Sequence, residues 1–186
     1  MKETIIFTDG ASRGNPGKGG WGAIVCENDT VVELGGREDQ TTNNRMEMMA
    51  IIEALKQVKS QAKIIVNTDS SYVVKGIREW IHGWEKNGWV TKGKEPVLNS
   101  DLWKLLKAQT AGRSIFWNII PGHSGIPGNE RCDVIATSYA DSNPTTLFNG
   151  ALHDYHTSLE IPAVLSMRTK KKSKSSEPAY SYISKV

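Results

Sequence analysis

The first apolar block of the chain, Ile5-Ile6-Phe7, is built from residues that strands favour and is cut by Asp9 ahead of a Gly/Asn/Pro turn at 14–17. It predicts a buried strand with Asp9 near its end. Gly19 to Cys26 reads as a second strand, Asn28-Asp29 as a turn and Val31 to Gly36 as a third strand, so residues 4–36 form an antiparallel meander. Thr42-Asn43-Asn44 then offers cap chemistry to a helix ending near Val58, in which Met48, Ile51, Ile52, Leu55 and Val58 recur at helical spacing. A strand at 63–68 follows, with a helix opening near Ser70-Ser71. Asn99-Ser100-Asp101 caps another helix, which runs to about Thr110. Residues 114–120 give a fifth strand, and Pro127 leads a last helix to about Asp141. Three antiparallel strands followed by alternating helix and strand predict an α/β fold, a five-stranded mixed sheet with helices on both faces.

Carboxylates interrupt this pattern where charge is costly. An isolated ionised acid at a strand core must be paired, hydrogen-bonded or bound to a cation. Thr68-Asp69 repeats the grammar of Thr8-Asp9, an apolar run closed by Thr-Asp, which places both acids at the carboxyl ends of adjacent parallel strands. Glu47 has Ala50, Ile51 and Ala54 as its helical neighbours, and Asp133 lies among Cys132, Val134, Ile135 and Ala136. Brought together, four such acids would need a divalent metal.

Composition narrows the class. The 186 residues, 38% hydrophobic and 23% charged, suffice for one domain with a sizeable core and a remainder. Net charge is +3, with 17 basic and 17 acidic side chains in residues 1–144, so the excess sits in the C-terminal stretch. A domain of residues 1–143 and a mostly flexible extension of 144–186 are expected, the latter with a basic linker from Lys170 to Ser176. That run offers a nucleic-acid contact or an address beside a plain solvated linker. The strand-like stretch from Ala179 to Val186 has nothing after it to pair with, which fits docking on a partner or a longer extension. Cys26 and Cys132, inside apolar segments, read as reduced thiols. With no signal-peptide pattern and no run near the ~20 residues of a membrane span, the expected location is cytoplasmic, without membrane contact.

The motifs Thr8-Asp9-Gly10-Ala11-Ser12 with Gly14-Asn15-Pro16-Gly17, Thr42-Asn43-Asn44-Arg45-Met46-Glu47, Thr68-Asp69-Ser70, and Gly122-His123-Ser124-Gly125 with Asn129-Glu130-Arg131-Cys132-Asp133 occur in order. Over about residues 4–142 the chain resembles a bacterial-like type 1 ribonuclease H. The resemblance implies an endonuclease that cuts the RNA strand of RNA/DNA hybrids, leaving 5′-phosphate and 3′-hydroxyl ends, and acting as a monomer. It implies two Mg²⁺ ions, Mn²⁺ being an alternative, with Asp9 bridging them. Asp133 then helps hold the ion that activates water, and Glu47 and Asp69 the ion near the leaving oxygen. His123, on a glycine-flanked loop, would assist proton transfer or product departure.

Further residues take substrate roles on the same resemblance. Asn15, Asn43, Asn44 and Ser71 match positions that touch bases or ribose hydroxyls, although Asn43-Asn44 also reads as a helix cap. Thr42 and Asn99 match a pocket for a DNA phosphate, where Cys26 replaces an often basic residue. Trp80 and Lys86 belong to a segment with Lys75, Arg78, Trp84, Trp89, Lys92 and Lys94 that is similar to the family's basic protrusion. The rivals are a binding module with a dead site and another nuclease or strand-transfer enzyme of the wider superfamily.

Overall fold

A computed structural model describes residues 3–161. Three long antiparallel strands open the chain, β1 (Thr4–Gly14), β2 (Gly17–Glu27) and β3 (Thr30–Thr41). Helix α1 (Asn43–Gln57) crosses to β4 (Ile64–Thr68), which pairs parallel to β1, and β5 (Ile115–Ile119) pairs parallel to β4. Between β4 and β5 lie α2 (Ser71–Lys75), a π-helical turn at Gly76–Trp80, α3 (Ile81–Lys86) and α4 (Ser100–Thr110). Helix α5 (Pro127–Ala140) follows β5, and a short β6 (Asn149–Ala151) pairs with β3. The sheet order is β5-β4-β1-β2-β3-β6.

Alternation along β1 divides the core. Ile6 joins Met48, Ile51, Leu55, Leu102 and Leu106 on the face covered by α1 and α4. Phe7 joins Ile24, Ile126 and Cys132 on the face covered by α5. Glycines in β2 let α5 lie close: a Cβ on Gly20 or Gly22 would stand 2.2 Å from Ala136 O or 2.4 Å from Cys132 O. The expected layering of helices on both faces is present.

Two expectations are corrected. The sheet has six strands, not five, because β6 adds to the free edge of β3 through residues 30–32 and 149–151. Strand β1 does not end near Asp9. Its pairing with β4 stops at Thr8↔Thr68, while its pairing with β2 continues to Gly14↔Gly17. Asp9 is therefore the first residue past the parallel ladder, where β1 runs on with one neighbour.

Phe148, Tyr155, Leu159 and Ile161 pack against the α5-side core. Buried Glu33 accepts two hydrogen bonds from Arg131 (2.8 and 2.7 Å), one from the Tyr155 hydroxyl (2.7 Å) and one from the Phe148 N–H (3.0 Å). The basic linker and the strand-like C-terminal stretch lie outside the described residues.

Candidate active site

The site forms where β1 and β4 part. Asp9 enters it from the middle of β1, its Oδ1 accepting 2.7 Å from the Gly10 N–H. Its side chain shares the α5 face with Phe7, whereas Gly10 points the other way, toward α1. A Cβ on Gly10 would lie 2.3 Å from Glu47 N, so the bare glycine is what allows the first turn of α1 to press against β1 and present Glu47 beside Asp9. Asp69 follows β4 directly. Asp133 comes from the first half of α5. One cleft is lined by Asp9, Glu47, Asp69, His123 and Asp133, together with Asn43, Arg13 and Thr137.

The acids are unevenly restrained. Both Glu47 oxygens are fixed, Oε1 by the Asn43 side-chain amide at 2.9 Å and Oε2 by the Ser70 hydroxyl. Ser70 is also the N-cap of α2, its Oγ accepting from Val73 N, so the start of that helix is tied to the site. Burial pushes Asp9 up to about 8, with the negative charge of Asp69 adding to it and the Gly10 N–H opposing it. Glu47 rises to about 7, mainly by burial, against the Ser70 and Asn43 hydrogen bonds. Asp69 is raised by burial too, an effect moderated by a hydrogen bond from Asn129. A cleft that resists full ionisation of its own acids fits a divalent cation, and the donors are the hard oxygens such an ion prefers.

His123 stands exposed on the loop before α5, with φ of 47°. Ligand atoms of His123, Glu130 and Asp133 lie within 4.8 Å of one another. Glu130 also accepts 3.1 Å from the Gly125 N–H, so α5 tethers the loop. Glu130 and Ser70 escape a reading of the sequence for buried acids, although each had a signal: Glu130 precedes Asp133 by three residues on one helix, and Ser70 follows Asp69 at a cap.

The expected substrate residues divide into groups. Asn15 is exposed in the β1–β2 turn and Ser71 is exposed at the start of α2. Thr42 is the N-cap of α1, with its Oγ1 accepting from Arg45 N. Asn99, in the left-handed region at φ 58°, donates to Tyr72 Oη at 3.2 Å and accepts from Arg45 Nη1 at 3.4 Å. Arg45 thus joins the Thr42 turn to Asn99, and it is paired with Asp101. Asn44 is half-buried in the first turn of α1, and Cys26 is buried in the α5-side core. The tryptophans split. Trp84 packs 5.5 Å from buried Trp103, while Trp80 leans on the Tyr72 ring at 5.8 Å, and Lys86 is exposed at the end of α3.

A family model described as RNase H matches residues 1–141. A ribonuclease H from Alcanivorax borkumensis is 51% identical over 141 residues, which covers 76% of this chain and 93% of that protein. One from Dechloromonas aromatica is 54% identical over 136 residues, 73% of this chain and 92% of that protein. Among solved structures, LC9-RNase H1, a type 1 RNase H with the type 2 active-site motif, superposes with a TM-score of 0.69 at 26% identity, covering 82% of this chain and 79% of that one. LC11-RNase H1 in complex with RNA/DNA hybrid gives 0.55 at 28% identity, over 75% of this chain and 97% of that one. The match takes in every strand and helix that brings an acid to the cleft, and the chain belongs to the RNase H family.

Proposed function

We propose that this endoribonuclease hydrolyses the RNA strand of RNA/DNA hybrids with two divalent ions, giving 5′-phosphate and 3′-hydroxyl ends. The observation that carries the reading is the meeting of Asp9, Glu47, Asp69 and Asp133 in one cleft, with proton affinities raised at three of them. Support for the substrate comes from LC11-RNase H1, a relative at 28% identity solved with a hybrid. When bound, two Mg²⁺ or Mn²⁺ ions supply charge stabilisation at the attacking and leaving oxygens.

The residues of this chain do the rest. Asp9, Glu47, Asp69 and Asp133 hold the ions, and the Gly10 N–H, Asn43 and Ser70 fix the first two carboxylates before substrate arrives. His123 carries a proton toward the departing 3′ oxygen from a loop that Glu130 restrains. Asn15, Asn43, Asn44 and Ser71 read the hybrid's bases and ribose hydroxyls, the 2′-OH being the handle that tells RNA from DNA. Thr42 and Asn99 take a phosphate of the DNA strand, and Trp80 and Lys86 follow its backbone. The enzyme works as a monomer, and its buried thiols suit a reducing, cytoplasmic setting. No helix among the described residues is long and apolar enough to cross a membrane.

A parallel assay of labelled hybrid, duplex DNA, duplex RNA and single-stranded RNA in Mg²⁺ tests the substrate. Cleavage confined to the RNA strand of the hybrid is expected, and preference for duplex DNA would overturn the reading. Replacing Asp69 with Asn should lower the rate on hybrid by about 10³-fold or more, as expected for loss of a metal-holding carboxylate. Undiminished cleavage by that variant would remove the four-acid site from the mechanism.

A further inference from the structure

The cleft is longer than its acids. Alternation along β1 sends Asp9, Ala11 and Arg13 to the face that α5 covers, and α5 runs beside them from Asp133 to Asp141. At about 3.3 Å per strand residue, Arg13 lies ~13 Å beyond Asp9. At 1.5 Å per helical residue, Asp141 lies ~12 Å beyond Asp133. Strand and helix are thus two rails of one groove, with carboxylates at one end, Arg13 at the other and Thr137 between them on its lining. Among the described residues that line it, Arg13 alone carries a permanent positive charge. Lys18, its cross-strand partner in β2, is exposed on the same face of the ribbon.

Arg13 is held but not used up. Its Nε and Nη2 each donate to Asp141 at 2.6 Å, and both side chains are 50% exposed. Two of the five guanidinium N–H donors are occupied, and the other three have no partner among the described residues. An exposed ion pair is worth little in water, so a phosphate can displace the carboxylate at small cost, and the guanidinium fork fits phosphate as well as it fits Asp. A nucleic acid strand drawn to the acids by bound ions would run on along the same groove, where Arg13 offers the cation for its next phosphates.

We infer that Arg13 is a backbone phosphate contact for the strand being cut, a few nucleotides from the scissile bond, and that Asp141 orients the guanidinium until that phosphate replaces it. This rests on the hybrid-cleaving reading above. Binding of a hybrid by the full chain carrying Asp69→Asn, followed by fluorescence anisotropy over a KCl series, tests it. Adding Arg13→Gln should raise Kd about three- to tenfold and flatten the slope of log Kd against log salt by about 0.7–0.9, the loss of one phosphate contact. Adding Asp141→Asn instead should leave Kd equal or lower, because it removes a competitor. Neutral methylphosphonates in the RNA strand should erase the difference made by Arg13→Gln, and the same substitution in the DNA strand should preserve it. The assignment falls if Arg13→Gln leaves Kd and slope unchanged, if Asp141→Asn weakens binding as Arg13→Gln does, or if the DNA-strand substitution is the one that erases the difference. Failure of the unsubstituted chain to cut hybrid at all would instead bring down the functional reading beneath it.

Discussion

Asp9 shows what one buried acid can reveal. It is 8% exposed, and it holds its proton to about pH 8 because burial and the neighbouring charge of Asp69 both oppose ionisation. An acid whose folded pKa is raised binds more protons folded than unfolded. It therefore costs stability as pH rises from the ordinary carboxylate range toward 8, and costs nothing below that range. Without divalent ions, Asp9→Asn should raise Tm at pH 8 by about 3–8 °C, one or two kcal/mol at a few degrees each, while hybrid cleavage disappears. Thermal melts with chelator, set beside a cleavage assay, check both halves, and a variant no more stable than its parent would show that Asp9 is not under electrostatic strain. The acid itself was legible, since a carboxylate ending an apolar run must be paired, hydrogen-bonded or bound to a cation. The size of its perturbation was not, because that depends on a residue sixty positions away and on a ladder that stops at Thr8↔Thr68.

Among the elements, α1 was read from its own residues, a cap at Thr42 and apolar positions at helical spacing. The far half of β1 was missed, since Gly10 to Gly14 offers small and polar residues with no alternation and is held by pairing with an equally glycine-rich β2. β6 was missed because three residues carry no period, and so was the π-helical turn, whose Gly76 sits where a Cβ would stand 2.0 Å from the Trp103 ring, a contact made only in the fold. What matters for chemistry is the seam between β1 and α1. Gly10→Ala would drive a methyl into the Met46–Glu47 backbone, which α1 can relieve only by moving away. A loss of about 1–3 kcal/mol is expected, as for other overpacked sites. A hybrid-cleavage rate at least tenfold lower should accompany it, since Glu47 withdraws with its helix. Denaturant midpoints and single-turnover rates test the two effects together, and a variant that loses stability but keeps its rate would place the Glu47 position outside the control of this seam.

At the scale of the molecule two sets of acids pull the pH dependence in opposite directions. The cleft acids make the metal-free fold less stable as pH climbs, Glu47 titrating near 7 and Asp9 near 8. Glu33 does the reverse. Burial alone would raise its pKa, but Arg131, Tyr155 and the Phe148 N–H overcome burial and hold the carboxyl below its ordinary value. Its stabilisation is therefore present above the ordinary carboxylate range and lost as pH falls through the lowered folded value. The clasp it makes also joins residues 144–161 to β3 and α5, the helix that carries Asp133. Between the two limits the metal-free enzyme should be most stable at mildly acidic pH, about 5. On the two-ion reading proposed above, millimolar Mg²⁺ should lift the alkaline limb, shift the maximum toward neutrality and leave the acid limb alone. Tyr155→Phe should lower stability wherever Glu33 is ionised and leave the Mg²⁺ increment unchanged. Losing a hydrogen bond to a charged group costs about 1.5–3 kcal/mol, and because that bond lowers the pKa of Glu33, the acid limb should become shorter and shallower. Melting curves of both proteins from pH 3 to 9, with and without Mg²⁺, would separate the two systems. A Tyr155→Phe change that altered the size or pH dependence of the Mg²⁺ increment would mean that the clasp and the cleft titrate as one unit through α5.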